Sequence, residues 1–219
     1  MSIIATVYLR ECIVMAADSR ITGTAKHTDG TIDRLTLSDN GQKVFLIEDH
    51  SIGISACGAQ EFNGRTIADF MRSFEIDEIR EKDSVKDVAD KLCRYAKGKY
   101  TGDVIFHVCG YQEGIKNIIE IKNEDINVLV SEKNPETCNV RWSGEPKAIS
   151  NLLSGDNAIP IEFNYMYMKD GIDFAEFLID TTCKIHRFQS GLGTCGGPVD
   201  ILLLTKDYAR WIKHKVLNP

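Results

Sequence analysis

The first twenty residues, MSIIATVYLRECIVMAADSR (1–20), indicate how this chain begins to fold. Residues 2–9 are rich in β-branched side chains, and residues 12–18 form a second apolar run. Only Arg10 and Glu11 separate the two runs, which is typical of a tight hairpin between antiparallel strands. The N-terminal segment therefore predicts an antiparallel sheet and not a β-α-β unit.

The remaining chain extends this pattern to an α+β fold. A second strand pair is predicted at 43–47 and 51–57, after a polar loop over 22–40 that contains a short strand. Further strands are predicted at 104–110, 115–121, 127–130, 137–142 and 199–205, and helical periodicity favours helices over 62–74, 84–97, 145–153, 173–188 and 208–216. Because strands and helices are segregated, we expect a four-layer αββα sandwich of two stacked antiparallel sheets flanked by helices. No linker interrupts residues 1–219, so we expect a single domain.

Composition excludes several classes of function. The chain has 219 residues, with 26 Lys plus Arg against 32 Asp plus Glu and a net charge of −6. This balance, without a basic cluster, argues against a nucleic-acid partner. No apolar run reaches the roughly 18–20 residues that cross a bilayer, and the first residues lack the features of a signal peptide, so we expect a cytoplasmic protein. The seven cysteines form no C-x-x-C pair and the histidines show no metal-ligand spacing, so no metal site is predicted.

The N-terminus carries the most informative chemistry. Ser2 is a small residue, and methionine aminopeptidase generally removes Met1 before such a residue. Removal would leave a hydroxyl and a free α-amino group on the same residue. The α-amino group has a reference pKa of about 7.7–8.0, against about 10.4 for lysine, so it can accept the hydroxyl proton while the oxygen attacks a carbonyl. A Met-Ser start alone is not specific, because many proteins begin this way.

Four further segments give this terminus a family resemblance. They are VMAADSRIT (14–22), KVFLI (43–47), ISACGA (54–59) and GGPVDI (196–201). Together with Ser2 they resemble the proteasome β-subunit family of N-terminal nucleophile (Ntn) hydrolases, most of all its bacterial proteasome-related branch that includes Anbu. The first seventy residues carry most of the resemblance, which implies the Ntn hydrolase fold.

The resemblance implies a catalytic role for five residues. Ser2 takes the place of the family's N-terminal threonine nucleophile. Asp18 and Lys43 form a buried ion pair beside it, which favours the neutral amine and the developing alkoxide. The backbone N–H of Gly58 stabilises the oxyanion, and Ser143 supports the terminal amine. Of these, Lys43 requires a longer preceding loop than is usual in the family.

The resemblance also implies how substrate is held. The backbone of Thr22 pairs with an extended substrate, as a strand added to a sheet edge. Ile21, Phe45 and Ala56 line an apolar pocket for the residue that precedes the cleaved bond. The implied reaction is hydrolysis of a peptide or amide bond without a cofactor, by a homo-oligomer that forms a ring or a helical assembly. The sequence does not identify an ATPase partner.

Three features depart from the family's pattern. Leu192 and Cys195 stand where the family usually has an aspartate and a serine, so a supporting network near the terminus is altered. The nucleophile is serine and not threonine. A retained Met1 would leave Ser2 without a free amine and would prevent this mechanism.

Other functions stay open at this stage. The same fold can serve as a non-catalytic assembly or scaffold subunit, as proteasome α subunits show, so the fold does not settle the function. An amidase or acyl-transfer reaction on a small metabolite is a third hypothesis for the function. Cys57 or Cys195 can also be considered as a thiol nucleophile with His107 or His186, although nothing in the sequence brings these residues together and buried structural cysteines are expected.

Overall fold

The computed structural model of the chain describes residues 2–156 and 158–217. Its helices are α1 (Ile67–Glu78), α2 (Val85–Ala96), α3 (Lys147–Leu153) and α4 (Met168–Phe188). Its strands are β1 (Ile3–Tyr8), β2 (Ile13–Ala17), β3 (Ile21–Lys26), β4 (Ile32–Ser38), β5 (Val44–Ile47), β6 (Ile52–Gly58), β7 (Glu61–Phe62), β8 (Arg65–Thr66), β9 (Val104–Gln112), β10 (Ile115–Lys122), β11 (Asp125–Val130), β12 (Asn139–Gly144), β13 (Asp200–Leu204) and β14 (Ala209–Lys213).

Two five-stranded antiparallel sheets form the centre of the fold. The first has the strand order β12-β1-β2-β13-β14, and the second has the order β11-β10-β9-β6-β5. One apolar cluster lies between the sheets, a second between the first sheet and α4, and a third between the second sheet and helices α1 and α2. The architecture is therefore the predicted αββα sandwich.

Side-chain caps mark the starts of helices α1 and α2. Helix α2 begins directly after Ser84, whose hydroxyl caps it by accepting a hydrogen bond from the Asp87 N–H at 3.1 Å. Helix α1 lies further along the chain than the predicted 62–74. It begins at Ile67, where the Thr66 side chain caps it, and Phe62 lies instead in the short strand β7.

Two predictions of secondary structure are wrong. Residues 22–40 are not mainly a loop, since β3 and β4 form a hairpin whose β-branched residues favour strands over its polar composition. Residues 208–216 do not form a closing helix. They contain β14, which pairs antiparallel with β13 at the edge of the first sheet. Backbone hydrogen bonds to a distant strand override the local helical pattern there.

Strand register places the start of β1 among several functional candidates. Strand β1 lies between β12 and β2, with Ile4 opposite both Ser143 and Ala17. Ala17 is also opposite Asp200, the first residue of β13. The N-terminal end of β1 therefore meets the end of β2, the end of β12 and the start of β13. No helix in the described part of the chain is both long and apolar enough to cross a membrane.

Candidate active site

The Asp18 carboxylate is the polar centre of this strand junction. One oxygen accepts the Ile3 N–H at 3.0 Å and the Lys43 Nζ at 2.7 Å. The other accepts the N–H groups of Gly196 at 3.0 Å and Arg20 at 3.2 Å. Four donors satisfy a carboxylate that is almost completely removed from water. Asp18 therefore ties the start of β1 to the loop that precedes β13.

Lys43 is a buried cation that serves this junction alone. Its side chain is 0% exposed, and its Nζ donates to Asp18 and to the Arg20 carbonyl oxygen, both at 2.7 Å. One carboxylate and one carbonyl oxygen therefore hold the Lys43 Nζ close to the beginning of β1. The structure thus brings Lys43 and Asp18 together with the residue that follows Ser2.

Ser2 lies at this junction and is itself 1% exposed. Its carbonyl oxygen accepts the N–H of Glu145 at 2.8 Å, and its Oγ lies 3.5 Å from the Gln60 Nε2. Gly144 packs directly against it: a Cβ at Gly144, where φ is +103°, would lie 1.9 Å from the Ser2 carbonyl oxygen. Only glycine fits this position. Met1, whose removal decides whether Ser2 has a free amine, lies outside the described residues.

Gly58 ends strand β6 with a φ of +97°, in the region that favours glycine. A Cβ there would lie 2.2 Å from the Asp103 carbonyl oxygen. The exposed Gly58 borders a groove of about 890 Å³. The groove is also lined by residues of β3 and β4, by the segment from β6 to β8 and by the segment before β9, among them Ile21, Thr22, Leu37, Gln60, Arg65 and Tyr100.

The four predicted substrate-binding residues are divided between two environments. Ile21 and Thr22 line the groove with Gly58. Phe45 and Ala56 are buried in the apolar cluster between the second sheet and helices α1 and α2. The structure therefore brings the β3 residues to the groove, whereas Phe45 and Ala56 belong to the core behind strands β5 and β6.

Ser143 belongs to a buried hydrogen-bond chain between the two sheets. Its hydroxyl donates to Glu120 at 3.2 Å and lies 3.0 Å from the His107 Nε2, while the His107 Nδ1 lies 2.9 Å from the Thr6 hydroxyl. Because the carboxylate only accepts, the Ser143 proton points to Glu120, so the His107 Nε2 donates and its Nδ1 accepts from Thr6. Arg141 pairs with both Glu120 oxygens, at 2.9 and 2.7 Å.

The surroundings of His107 and Glu120 determine the protonation states in this hydrogen-bond chain. It lowers the pKa of His107 to about 4, although the Glu120 carboxylate acts in the opposite direction. The imidazole is therefore neutral at neutral pH, as the hydrogen-bond directions require. Burial acts to raise the pKa of Glu120, but the hydrogen bonds and charge of Arg141 outweigh it and the pKa is lowered. Ser143 is accordingly fixed by Glu120, which the sequence did not single out, and by His107, which it offered only as a partner for a thiol nucleophile.

The loop of Leu192 and Cys195 reaches the site through its backbone. Cys195 is buried, and the next N–H along the chain, that of Gly196, binds Asp18. The Arg20 guanidinium donates to both oxygens of Asp39, at 2.7 and 3.0 Å, and to the Gly193 carbonyl oxygen at 3.2 Å. Arg20 therefore connects this loop to the end of the β3–β4 hairpin, a contact that sequence reasoning missed.

The pKa values of Cys57 and Cys195 do not support either residue as a thiol nucleophile. Burial raises the pKa of the Cys57 thiol to about 12 and raises the pKa of the Cys195 thiol as well. A thiol is nucleophilic as its thiolate, so neither group is poised to react near neutral pH. Within residues 2–156 and 158–217, no group of three or more His, Cys, Asp or Glu side chains is arranged to hold a metal ion.

Comparison with known proteins supports the fold. No protein-family model matches the chain, and no curated protein matches it in sequence. Among solved structures, it is similar to an Anbu (Gly-1) mutant from Hyphomicrobium sp. strain MC1, with a TM-score of 0.59 and 14% sequence identity. The match covers 98% of this chain and 86% of that one. The chain therefore has the proteasome-like fold of Anbu, a bacterial proteasome-related protein, and the predicted resemblance is confirmed as a distant one.

Proposed function

We propose that this protein is an N-terminal-nucleophile serine hydrolase that cleaves peptide or amide bonds. One observation carries the proposal: the buried Asp18–Lys43 ion pair binds the N–H of Ile3, the residue next to Ser2. A buried charge pair is costly to maintain and often marks a functional site when it lies beside a candidate nucleophile.

In this proposal Met1 is first removed by hydrolysis of the Met1–Ser2 bond. The Ser2 Oγ then attacks the substrate carbonyl carbon, and its proton passes to the Ser2 α-amine. The carbonyl electron pair moves to oxygen, where the Gly58 N–H stabilises the negative charge. Collapse of this intermediate breaks the C–N bond, and the leaving amine takes the proton. Water hydrolyses the resulting ester by the same route and restores Ser2.

The surroundings of Ser2 support binding of an extended substrate. Strand β3 pairs with β4 along one edge, and in the part of the chain that the structure describes its other edge has no partner strand. Thr22 on β3 and Gly58 both border the 890 Å³ groove. A peptide added along β3 would place a carbonyl group near Gly58 and Ser2. We also propose a cytoplasmic homo-oligomer, in line with the family resemblance.

The test is intact-mass analysis of protein from its native host, before and after treatment with a peptide epoxyketone or β-lactone. We expect loss of the Met1 mass and an adduct that maps to Ser2. Ser2→Ala should give no adduct and no turnover, while Ser154→Ala, an exposed serine after α3, should behave as wild type. Retained Met1 without an adduct would contradict the proposal and favour a scaffold subunit.

A further inference from the structure

Gln60 is the side chain that approaches the candidate nucleophile most directly from outside the predicted site. Its Nε2 lies 3.5 Å from the Ser2 Oγ and 3.3 Å from the Gly58 carbonyl oxygen. Its backbone is held as well, since the Gln60 carbonyl oxygen accepts the Ile67 N–H at 3.2 Å at the start of α1. Gln60 thus joins the strand end that carries Gly58 to the first turn of a helix.

The contacts fix which way the Gln60 amide points. The Gly58 carbonyl oxygen can only accept, so the amide atom beside it must be the nitrogen. One N–H of the NH₂ group is directed to this carbonyl, and the other is available to the Ser2 Oγ. The opposite assignment would place two carbonyl oxygens against each other.

The other end of the same amide is unsatisfied. The Gln60 Oε1 is buried and has no hydrogen-bond partner among the described residues. An acceptor buried without a donor costs free energy, and in a native protein it calls for an explanation such as an absent ligand. Gln60 also lines the groove beside β3, so a small rotation of its side chain on substrate binding would bring this oxygen to a donor on the substrate.

We infer that Gln60 is a further catalytic residue, whose amide N–H is a second donor to the substrate oxyanion and whose Oε1 accepts a backbone N–H of a peptide substrate. This inference rests on the function proposed above. When the Ser2 Oγ bonds to the substrate carbonyl carbon, the oxyanion lies one bond beyond that carbon. A donor that lies 3.5 Å from the Oγ is therefore close to the new charge, on the side where Gly58 lies.

The Oε1 also restricts the substrate class. A peptide offers an N–H on the residue that precedes the cleaved bond, whereas an ester isostere at that position offers none. A buried acceptor left unpaired by the isostere makes the site discriminate between the two. The preferred substrate is accordingly a peptide and not a small acyl compound without this N–H.

The experiment compares wild type, Gln60→Met, Gln60→Glu and the control Gln112→Met, an exposed glutamine at the end of β9. The probe is a fluorogenic tetrapeptide amide with an apolar residue before the cleaved bond, together with its analogue in which an ester oxygen replaces the N–H of that residue. We expect kcat for the amide to fall about 100-fold in Gln60→Met and Gln60→Glu, the scale of losing one oxyanion donor. Wild type should prefer the peptide over its isostere by about 10-fold or more in kcat/KM, and Gln60→Met should lose this preference.

Ser2→Ala, measured in parallel, separates the two proposals. If Ser2→Ala is inactive and Gln60→Met retains the wild-type kcat and substrate preference, the role of Gln60 is wrong while the hydrolase proposal stands. If Ser2→Ala keeps full turnover, or wild type turns over neither probe, both proposals fail. A fall in kcat that Gln112→Met reproduces would also refute the inference. Thermal unfolding of each variant checks that the comparison concerns folded protein.

Discussion

Replacing Lys43 by methionine is the sharpest test of the buried junction beneath Ser2. The change removes the charge and keeps an apolar stem of similar length, so the Asp18 carboxylate remains buried without its cation. Both side chains of the pair are 0% exposed, and the Nζ–Oδ1 distance is 2.7 Å. Loss of one partner of such a pair typically costs about 3–5 kcal/mol of stability.

The structure favours the lower end of this range. Asp18 would keep three backbone donors, from Ile3, Arg20 and Gly196, which partly offset the cost of the lone charge. We therefore expect a loss of about 3 kcal/mol in the free energy of unfolding. For a chain of this size, that loss corresponds to a fall in Tm of about 6–12 °C. Turnover should also fall about 100-fold or more if Ser2 is the nucleophile, because Lys43 supplies positive charge beside it.

The matched control is Lys169→Met on helix α4. Lys169 pairs with Asp173 one turn away, but the two side chains are 77% and 58% exposed, so water screens the pair. Exposed pairs of this spacing contribute about 0.3–0.5 kcal/mol. Urea unfolding and thermal scans of both variants, with a turnover assay, measure the difference. Equal shifts in Tm for Lys43→Met and Lys169→Met would refute the argument from burial.

Three further predictions test other parts of the site. Gly144→Ala should abolish turnover, because its Cβ would meet the Ser2 carbonyl oxygen. The control is Gly114→Ala, at a position that also has a positive φ but open space around it; it should cost only about 1–2 kcal/mol of stability and leave turnover intact. Because burial lowers the pKa of His107 to about 4, below the unfolded value near 6.5, its contribution to stability is present above pH 6.5 and is lost as the pH falls towards 4. Urea unfolding at pH 7 and pH 5 should show a loss of about 2 kcal/mol that is missing in His107→Gln, and equal losses in both proteins would contradict this assignment. Native Cys57, whose pKa burial raises to about 12, should resist iodoacetamide at pH 8 and Cys57→Ala should keep turnover; rapid alkylation coupled to inactivation would restore the thiol alternative.

Sequence reasoning identified the paired residues of the site but not the residues that surround them. Asp18 and Lys43 were identified through the family resemblance of segments 14–22 and 43–47, since a position beside an apolar strand is not specific by itself. Gln60 carries no such signal: its position beside Ser2 depends on a turn after β6 and on the packing of α1. Glu120, and the role of His107 beside Ser143, were missed for a related reason, since each residue lies within an apolar strand where a polar residue is normally expected to face solvent.

The amino-acid sequence by itself determined the layered architecture, because alternation, β-branched runs and helical spacing decide which surfaces must be buried. It also placed Ser2, Asp18 and Lys43 in segments that resemble one protein family. The tertiary structure decided what stands around that serine. Residues 209–213 form an edge strand, and β3 pairs with β4. The Gln60 amide, from the loop after β6, lies near the Ser2 Oγ, and residues of four strands form the buried hydrogen-bond chain around Ser143. These outcomes depend on contacts between residues far apart in the chain, and hydrogen bonds of that kind leave no periodic trace in the local sequence.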